Sequence, residues 1–170
     1  MDWVIAIDPS SARTNLSDAA IGWCVFRDGE LVSHGELTPD PDTGFTRVRN
    51  WLRGKFKVIH TQDSAPKITV ASETAFLGPN AAIFLGLIRV KAHLESVTLD
   101  AGHSWREISP QQSFRAATGL TQYPKNDKGT RKGTRKASIQ SSLQEKYHWG
   151  DVSEHEADSA AIGLAVIQGK

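Results

Sequence analysis

Cysteine is nearly absent from this chain of 170 residues, which contains one, Cys24. A single cysteine excludes an internal disulfide and any zinc site built from cysteines alone. Its neighbours Trp23, Val25 and Phe26 are apolar, so we predict a buried thiol. No apolar run approaches the ~20 residues that cross a bilayer, and the amino-terminal residues lack the basic start of a secretory signal. We therefore expect one reduced, cytoplasmic domain over 1–170, away from membranes.

Charge is balanced overall but not along the chain. The 20 lysines and arginines against 19 acids give a net charge of +1. Residues 125–136 contain six basic residues and one acid, so the rest of the chain has 14 basic against 18 acidic residues, or −4. Such a segment indicates a phosphate-binding arm, with a solvated linker as the alternative. Its basic residues are Lys125, Lys128, Arg131, Lys132, Arg135 and Lys136.

Hydrophobic periodicity predicts an α/β fold. Asp28-Gly29 supplies a two-residue hairpin turn. Three antiparallel strands, followed by strands that helical crossovers reach, imply a five-stranded mixed sheet flanked by helices on both faces. The predicted strands are 3–8, 19–26, 30–37, 68–73 and 103–108, and the predicted helices are 43–59, 80–97, 110–118, 135–147 and a last helix from 153.

Two predicted strands end in an acid. Asp8 follows the apolar run of the first strand and Glu73 closes the fourth. An aspartate at a strand end is often only a turn former, but a carboxylate beside a buried strand is costly unless it has a partner. Sites form at the strand ends of open α/β sheets, so we expect both acids at one edge of the sheet.

The last helix supplies two further polar side chains. Ser153 and Glu156 have the spacing of a capping box, which gives Glu156 a structural role. His155 and Asp158 remain, three residues apart on one helical face. The positive helix end favours a neutral imidazole at His155, the form that a metal needs. Taken alone, a histidine at such a position is more often a surface residue than a metal ligand.

Together these four residues predict a metal site. Three carboxylates and a histidine suit hard divalent cations. Two such ions ~3.5–4 Å apart can clamp the attacking and leaving oxygens of a phosphodiester. With a basic arm to hold phosphates, the pattern is typical of a metal-dependent nuclease.

The chain resembles the RuvC family of Holliday junction resolvases, within the ribonuclease H-like superfamily. The resemblance is carried by IDPS around Asp8, the strand GWCVF, the segment ETAFLGPN over 73–80, and the terminal HEADSAAIGLA. His155 stands where many members have aspartate. Phe76 matches an aromatic that stacks on a base in the junction core, and Asn80 ends the same segment. Lys136 resembles a lysine that supports catalysis.

The resemblance implies a homodimer that resolves four-way or branched DNA by hydrolysis, leaving a 5′-phosphate. Its cofactor would be two Mg²⁺ ions per site, which Mn²⁺ could replace. Asp8 would bridge both ions, Glu73 would hold one and Asp158 the other. For His155 the roles of metal ligand and proton acceptor both stay open. The basic arm and Phe76 would serve binding.

The chain departs from the family at several places, among them SARTNLSD, which lengthens the approach to the second strand. Ser10 follows IDP where the family usually has glycine, and 124–136 is longer and more basic than the usual glycine-rich loop. These departures suit a phage- or mobile-element-type member, acting in the cytoplasm of a bacterium or of an infected host cell.

Three alternatives compete with the resolvase interpretation. A ribosomal-RNA-processing nuclease on the same fold would share the strand-end acids without needing Phe76. A non-catalytic protein that binds branched nucleic acid would not need all four candidate ligands. An actin-like ATPase lobe is disfavoured because 170 residues leave no second lobe and the chain has no phosphate-binding glycine loop.

The predicted helix over 80–97 offers a dimer surface. It is apolar nearly all round, and one sheet face can cover only one side of it. We expect Phe84, Ile88 and Lys91 on an outer stripe, which a second copy would cover so that two active sites face one junction. Coverage by the basic loop or by the helix over 135–147 is the alternative.

Overall fold

The structure is a computed structural model that describes residues 1–9, 20–38, 45–75, 81–125 and 134–169, without the side chains of 81–83. The order of elements is the predicted one, and the predicted bounds hold to within three residues. The strands are β1 (Asp2–Pro9), β2 (Ile21–Arg27), β3 (Glu30–Leu37), β4 (Lys67–Glu73) and β5 (Ser104–Ile108). The helices are α1 (Phe45–Gln62), α2 (Ala81–Asp100), α3 (Pro110–Thr118), α4 (Thr134–Tyr147) and α5 (Glu154–Gln168).

One mixed sheet of five strands organises the fold, in the order β3-β2-β1-β4-β5. β2 is antiparallel to both β1 and β3, whereas β4 is parallel to β1 and β5 is parallel to β4. Asp28 and Gly29 join β2 to β3 with φ angles of 51° and 94°. Positive φ at both positions is what a type I′ hairpin turn requires, so this turn is confirmed.

A hydrophobic core lies on each face of the sheet, as predicted. On one face Val4 and Ala6 of β1 pack with residues of α3, α4 and α5, such as Phe114. On the other face Ile5 of β1 packs with residues of α1 and α2, such as Leu52. Successive residues of β1 point to opposite faces, and both faces are buried. The central strand that carries Asp8 is therefore held from both sides.

Small residues let α5 lie close on the sheet. A Cβ added to Gly22 would stand 2.0 Å from the carbonyl oxygen of His155, and one added to Gly163 would stand 2.3 Å from the ring of Phe26. Any side chain at these positions would push the helix away. Gly22 pairs with Asp8 across β1 and β2, so this contact also brings the start of α5 to the acidic end of β1.

Two predicted helix caps are present. The hydroxyl of Ser109 accepts from the backbone N–H of Gln112, whose side chain accepts from the backbone of Ser109, and Gly119 closes α3 in the left-handed region. Ser153 and Glu156 form the same capping box at α5. Glu156 also lies 2.8 Å from Nδ1 of His34 on β3. The structural role predicted for Glu156 is confirmed.

The outer stripe of α2 differs from its prediction at Lys91. This residue is 4% exposed, and its Nζ lies 2.7 Å from Oε1 of Glu107 on β5. A buried ammonium needs such a partner, so Lys91 turns inward. The exposed apolar residues of α2 near its start are Leu85, at 54%, and Ile88, at 40%, while Phe84 is half-buried. Among the described residues, none of the helices combines the length and apolar character that crossing a bilayer requires.

Candidate active site

Asp8 and Glu73 lie side by side at the carboxyl edge of the sheet. β1 and β4 are parallel neighbours in which Ile7 pairs with Ser72, so the next residue on each strand is one of the two acids. Their side chains are largely buried, at 18% and 21% exposed. The prediction that two strand-end acids meet at one edge is confirmed.

The amino-terminal end of α5 brings His155 and Asp158 to the same place. Nδ1 of His155 lies 3.6 Å from Oδ2 of Asp8, a distance for charge attraction rather than for a hydrogen bond. The side chain of Asp158 is 8% exposed. All four predicted residues line one pocket of about 260 Å³, together with Lys136. Leu87 and Lys91 of α2 line the same pocket.

Arg135, predicted as part of the basic arm, contacts two of the acids that line this pocket. Its guanidinium contacts Oε1 of Glu73, lies 3.3 Å from Oδ1 of Asp158 and donates to Oγ of Ser113 at 3.0 Å. One planar cation therefore bridges carboxylates from β4 and α5, a geometry suited to arginine. DNA binding by Arg135 stays a prediction, and any such role requires that it leave these acids.

Lys136 is the second cation at the acids. Its Nζ lies 2.8 Å from Oε2 of Glu154 and 3.8 Å from Oδ2 of Asp158. Burial lowers the pKa of Lys136, but the hydrogen bond to Glu154 and the charge of Asp158 outweigh it, so the pKa is raised overall. Lys136 therefore remains an ammonium beside the pocket.

Ser113 is a site residue that the sequence analysis missed. It is buried on α3, and its hydroxyl lies 2.7 Å from Oε1 of Glu73, to which it donates. The available signal was a polar residue on the buried side of α3, next to Phe114. A buried hydroxyl needs a hydrogen-bond partner. This contact fixes the orientation of the Glu73 carboxylate.

Two acids of the pocket, Asp158 and Glu73, resist ionisation because their pKa values are raised. Burial raises the pKa of Asp158 to about 6, and the charge of Asp8 adds to this shift, while Arg135 and Lys136 oppose it. Burial also raises the pKa of Glu73, against the charge of Arg135 and the hydrogen bond of Ser113. Both shifts show negative charge that the protein neutralises only in part.

The pKa of His155 shifts in the direction opposite to the predicted one. The contact with Asp8 raises its pKa, and this outweighs burial, which lowers it. The argument for a neutral imidazole considered only the helix end and is wrong here, because a neighbouring carboxylate favours the charged ring. Asp8 therefore sets the ionisation of His155.

The donor set of the pocket fits a hard divalent cation by its chemistry. Three carboxylates and an imidazole converge, and the raised pKa values of Glu73 and Asp158 mark the charge that a cation would relieve. Within the described ranges, no group of three or more His, Cys, Asp or Glu side chains is already placed to hold one metal ion. The guanidinium of Arg135 contacts two of the donors, Glu73 and Asp158.

The structure describes three of the eight residues predicted to bind DNA, namely Lys125, Arg135 and Lys136. Lys125 is exposed at the end of a described segment. Five others lie outside the described residues: Phe76, Asn80, Lys128, Arg131 and Lys132. Their DNA contacts stay predictions.

Two solved structures of RuvC from Thermus thermophilus share this fold. RuvC in complex with Holliday junction substrate matches with a TM-score of 0.64 and 15% identity, covering 99% of this chain and 95% of that chain. A second Thermus thermophilus RuvC structure matches with the same TM-score and identity, covering 98% and 95%. A yeast mitochondrial Holliday junction resolvase matches with a TM-score of 0.49 and 11% identity, covering 97% and 77%.

The comparisons confirm the predicted ribonuclease H-like fold, a five-stranded mixed sheet flanked by helices. No protein-family model matches the chain, and no curated protein is similar enough to match it.

Proposed function

We propose that the protein is a metal-dependent, structure-selective endonuclease that cuts four-way or other branched DNA. The observation that carries this proposal is the pocket in which Asp8, Glu73, His155 and Asp158 meet beside two cations. Acids that gather despite raised pKa values need a functional reason, because burying them costs stability. The fold is shared with a RuvC that was solved with Holliday junction substrate, which supports branched DNA as the substrate.

Asp8, Glu73 and Asp158 are the residues that would hold two Mg²⁺ ions, with Mn²⁺ as a substitute. Bound ions would supply an activated water and stabilise charge on the phosphate. Asp8 lies between β4 and the start of α5, which suits a shared ligand. His155 lies 3.6 Å from Asp8 and would act in the same site as a metal ligand or, in its neutral form, as a proton acceptor.

Arg135 and Lys136 lie against the acids and offset part of their charge. In our proposal both cations turn to the phosphate oxygens of the DNA, which frees the carboxylates for the ions. Phe76 would stack on a base at the branch point, and Lys125, Lys128, Arg131 and Lys132 would hold the phosphates of the arms.

Paired cleavage of a junction requires two active sites, and we propose that a two-fold dimer supplies them. Leu85 and Ile88 are exposed on the outward face of α2. Leu87 of the same helix lines the pocket, so this face lies next to the active site. Sedimentation at micromolar concentration should show a dimer, and Leu85→Glu with Ile88→Glu should give a monomer. Val58→Glu, at an equally exposed apolar residue of α1, is the matched control. A monomeric wild type would refute this interface.

The central test compares three substrates of matched length: a four-way junction, a plain duplex and a structured RNA, each with Mg²⁺ or with a chelator. We expect cleavage of the junction alone, and only with Mg²⁺. Asp8→Asn should lower the cleavage rate by about 100-fold or more while junction binding survives, since the change removes a ligand and not a DNA contact. Asp100→Asn, at an exposed acid on α2, is the control.

Two results would replace the proposal. Cleavage of the RNA without cleavage of the junction would favour the ribosomal-RNA-processing alternative. A junction that is bound but stays intact with both Mg²⁺ and Mn²⁺ would favour the non-catalytic alternative.

A further inference from the structure

Helix α1 is basic throughout. Its sequence FTRVRNWLRGKFKVIHTQ contains five lysines and arginines and no acid. Residues 125–136 contain six basic residues and one acid, so the rest of the chain has nine basic against 18 acidic residues. The positive charge of this protein is thus concentrated in two segments, and only the second is explained by the proposed function.

The first turn of α1 contains a positive charge, which interacts unfavourably with the positive end of the helix dipole. Arg47 is the third residue of the helix, and the turn contains no acid. The unpaired N–H groups of a helix start favour negative charge and disfavour a cation. An arginine at this position works against the stability of the helix.

A row of like charges continues along the helix. Arg49, Arg53 and Lys57 follow one another at four-residue spacing, about 6 Å apart along the axis. Like charges at this spacing destabilise a helix. No ion pair among the described residues includes a basic residue of α1, whereas Lys91, Arg135 and Lys136 each have one.

Gly54 adds a third cost on the exposed side of α1. It lies mid-helix, is exposed, and a Cβ built on it would meet nothing within 4 Å. Glycine in an exposed helix interior is less stable than alanine. None of the described residues lies close enough to require glycine at position 54. A partner molecule whose backbone approaches the helix closely would require it.

The start of α1 lies at the same edge of the sheet as the acidic pocket. Arg47 and Trp51 line a shallow groove with Leu37, the last residue of β3. Leu37 pairs with Ile21, which pairs with Pro9, so it is two strands from the end of β1. Two strand spacings are about 10 Å. A ligand that reaches the pocket can therefore continue onto α1.

We propose that the outward face of α1, defined by Arg47, Arg53, Gly54 and Lys57, binds the phosphate backbone of a duplex DNA arm that leads away from the pocket. The proposal rests on the proposed function and extends it to a second DNA surface, across the sheet from Arg135 and Lys136 of α4. Duplex DNA is a dense polyanion, and its phosphates would offset the repulsion among these cations. Gly54 lets the backbone approach the helix.

The test measures the salt dependence of binding in chelator, where cleavage plays no part. A four-way junction, a plain duplex and a duplex RNA are titrated with the wild type and with Arg47→Gln plus Arg53→Gln. Two lost phosphate contacts should flatten the slope of log K against log salt by up to about 1.8 for both DNA molecules. Thermal melting without DNA should show equal or higher stability, since the removed charges oppose the helix.

The matched control is Arg27→Gln with Lys67→Gln. These cations lie at the opposite edge of the sheet, where they pair with Trp3 and Asp2 of β1. The control should leave the slope unchanged. An unchanged slope in the α1 variant, an equal flattening in the control, or a flattening for RNA alone would each overturn the proposal.

Gly54→Ala is an independent second variant. We expect it to raise the melting temperature and to weaken duplex binding by several-fold, because the methyl group occupies the space of the DNA backbone. If Gly54→Ala stabilises the protein and leaves its affinity for DNA unchanged, the DNA backbone does not approach the helix closely at this position. Failure to cut junctions with Mg²⁺ would instead count against the proposed function, which this binding assay does not measure.

Discussion

The acidic pocket and helix α1 handle charge in opposite ways. In the pocket, three carboxylates are gathered and two cations from α4 lie against them. On α1, five cations are gathered and no acid of the helix faces them. The pocket is therefore neutralised in part within the protein, while the cations of α1 have no acidic partner among the described ion pairs. Internal pairing holds a site ready without substrate, and unpaired charge attracts substrate from a distance.

The largest effect that tests this comparison concerns Asp158. Its pKa is raised to about 6 in the folded protein, from 3.8. The folded state binds the proton more tightly than the unfolded state, so this group's contribution to stability is lost as the pH rises from about 4 to 6. Asp158→Asn mimics the protonated acid and should be more stable than wild type at pH 7 by up to ~3 kcal/mol.

Urea unfolding from pH 4 to pH 8 measures this difference. The two proteins should be equally stable at pH 4 and diverge up to pH 6, above which the gap stays constant. The exposed Asp151→Asn serves as the control and should show no gap. A variant less stable than wild type at pH 7 would mean that Arg135 and Lys136 neutralise the pocket fully.

A smaller effect separates paired from unpaired cations directly. Arg135→Gln removes the bridge between Glu73 and Asp158 and should lower the free energy of unfolding by about 2 kcal/mol at pH 7, since buried carboxylates lose their partner. Arg53→Gln removes an exposed cation that no described ion pair includes, so its effect should stay within about 0.5 kcal/mol. Equal effects in the two variants would remove the contrast between pocket and helix.

Local sequence patterns were enough to predict the strands and helices that form the site. Apolar periodicity gave the order of strands and helices, and the strand-end positions of Asp8 and Glu73 placed them at one edge. The capping boxes at Ser109 and Ser153 were visible because the partners are three residues apart. Features that depend on neighbours in sequence were therefore predictable.

Contacts between segments that are distant in sequence were not predictable. Arg135 was assigned to the arm because its sequence neighbours are basic, whereas its partners Glu73 and Asp158 come from other elements. Lys91 turned inward to reach Glu107 on β5. The apolar positions of α1 predicted the helix, but periodicity alone gave no reason to ask where its cations point. These outcomes depend on how elements pack, which spacing along the chain does not contain.

The buried Cys24 makes this protein convenient for spectroscopy. The thiol is 1% exposed, accepts a hydrogen bond from Ser159 at 3.1 Å, and has its pKa raised by burial to about 12. At neutral pH only about one in 10⁵ of these thiols is ionised, so maleimide dyes should not react with Cys24. A cysteine introduced at exposed Leu99 would then be the single labelling position, without first removing the native one.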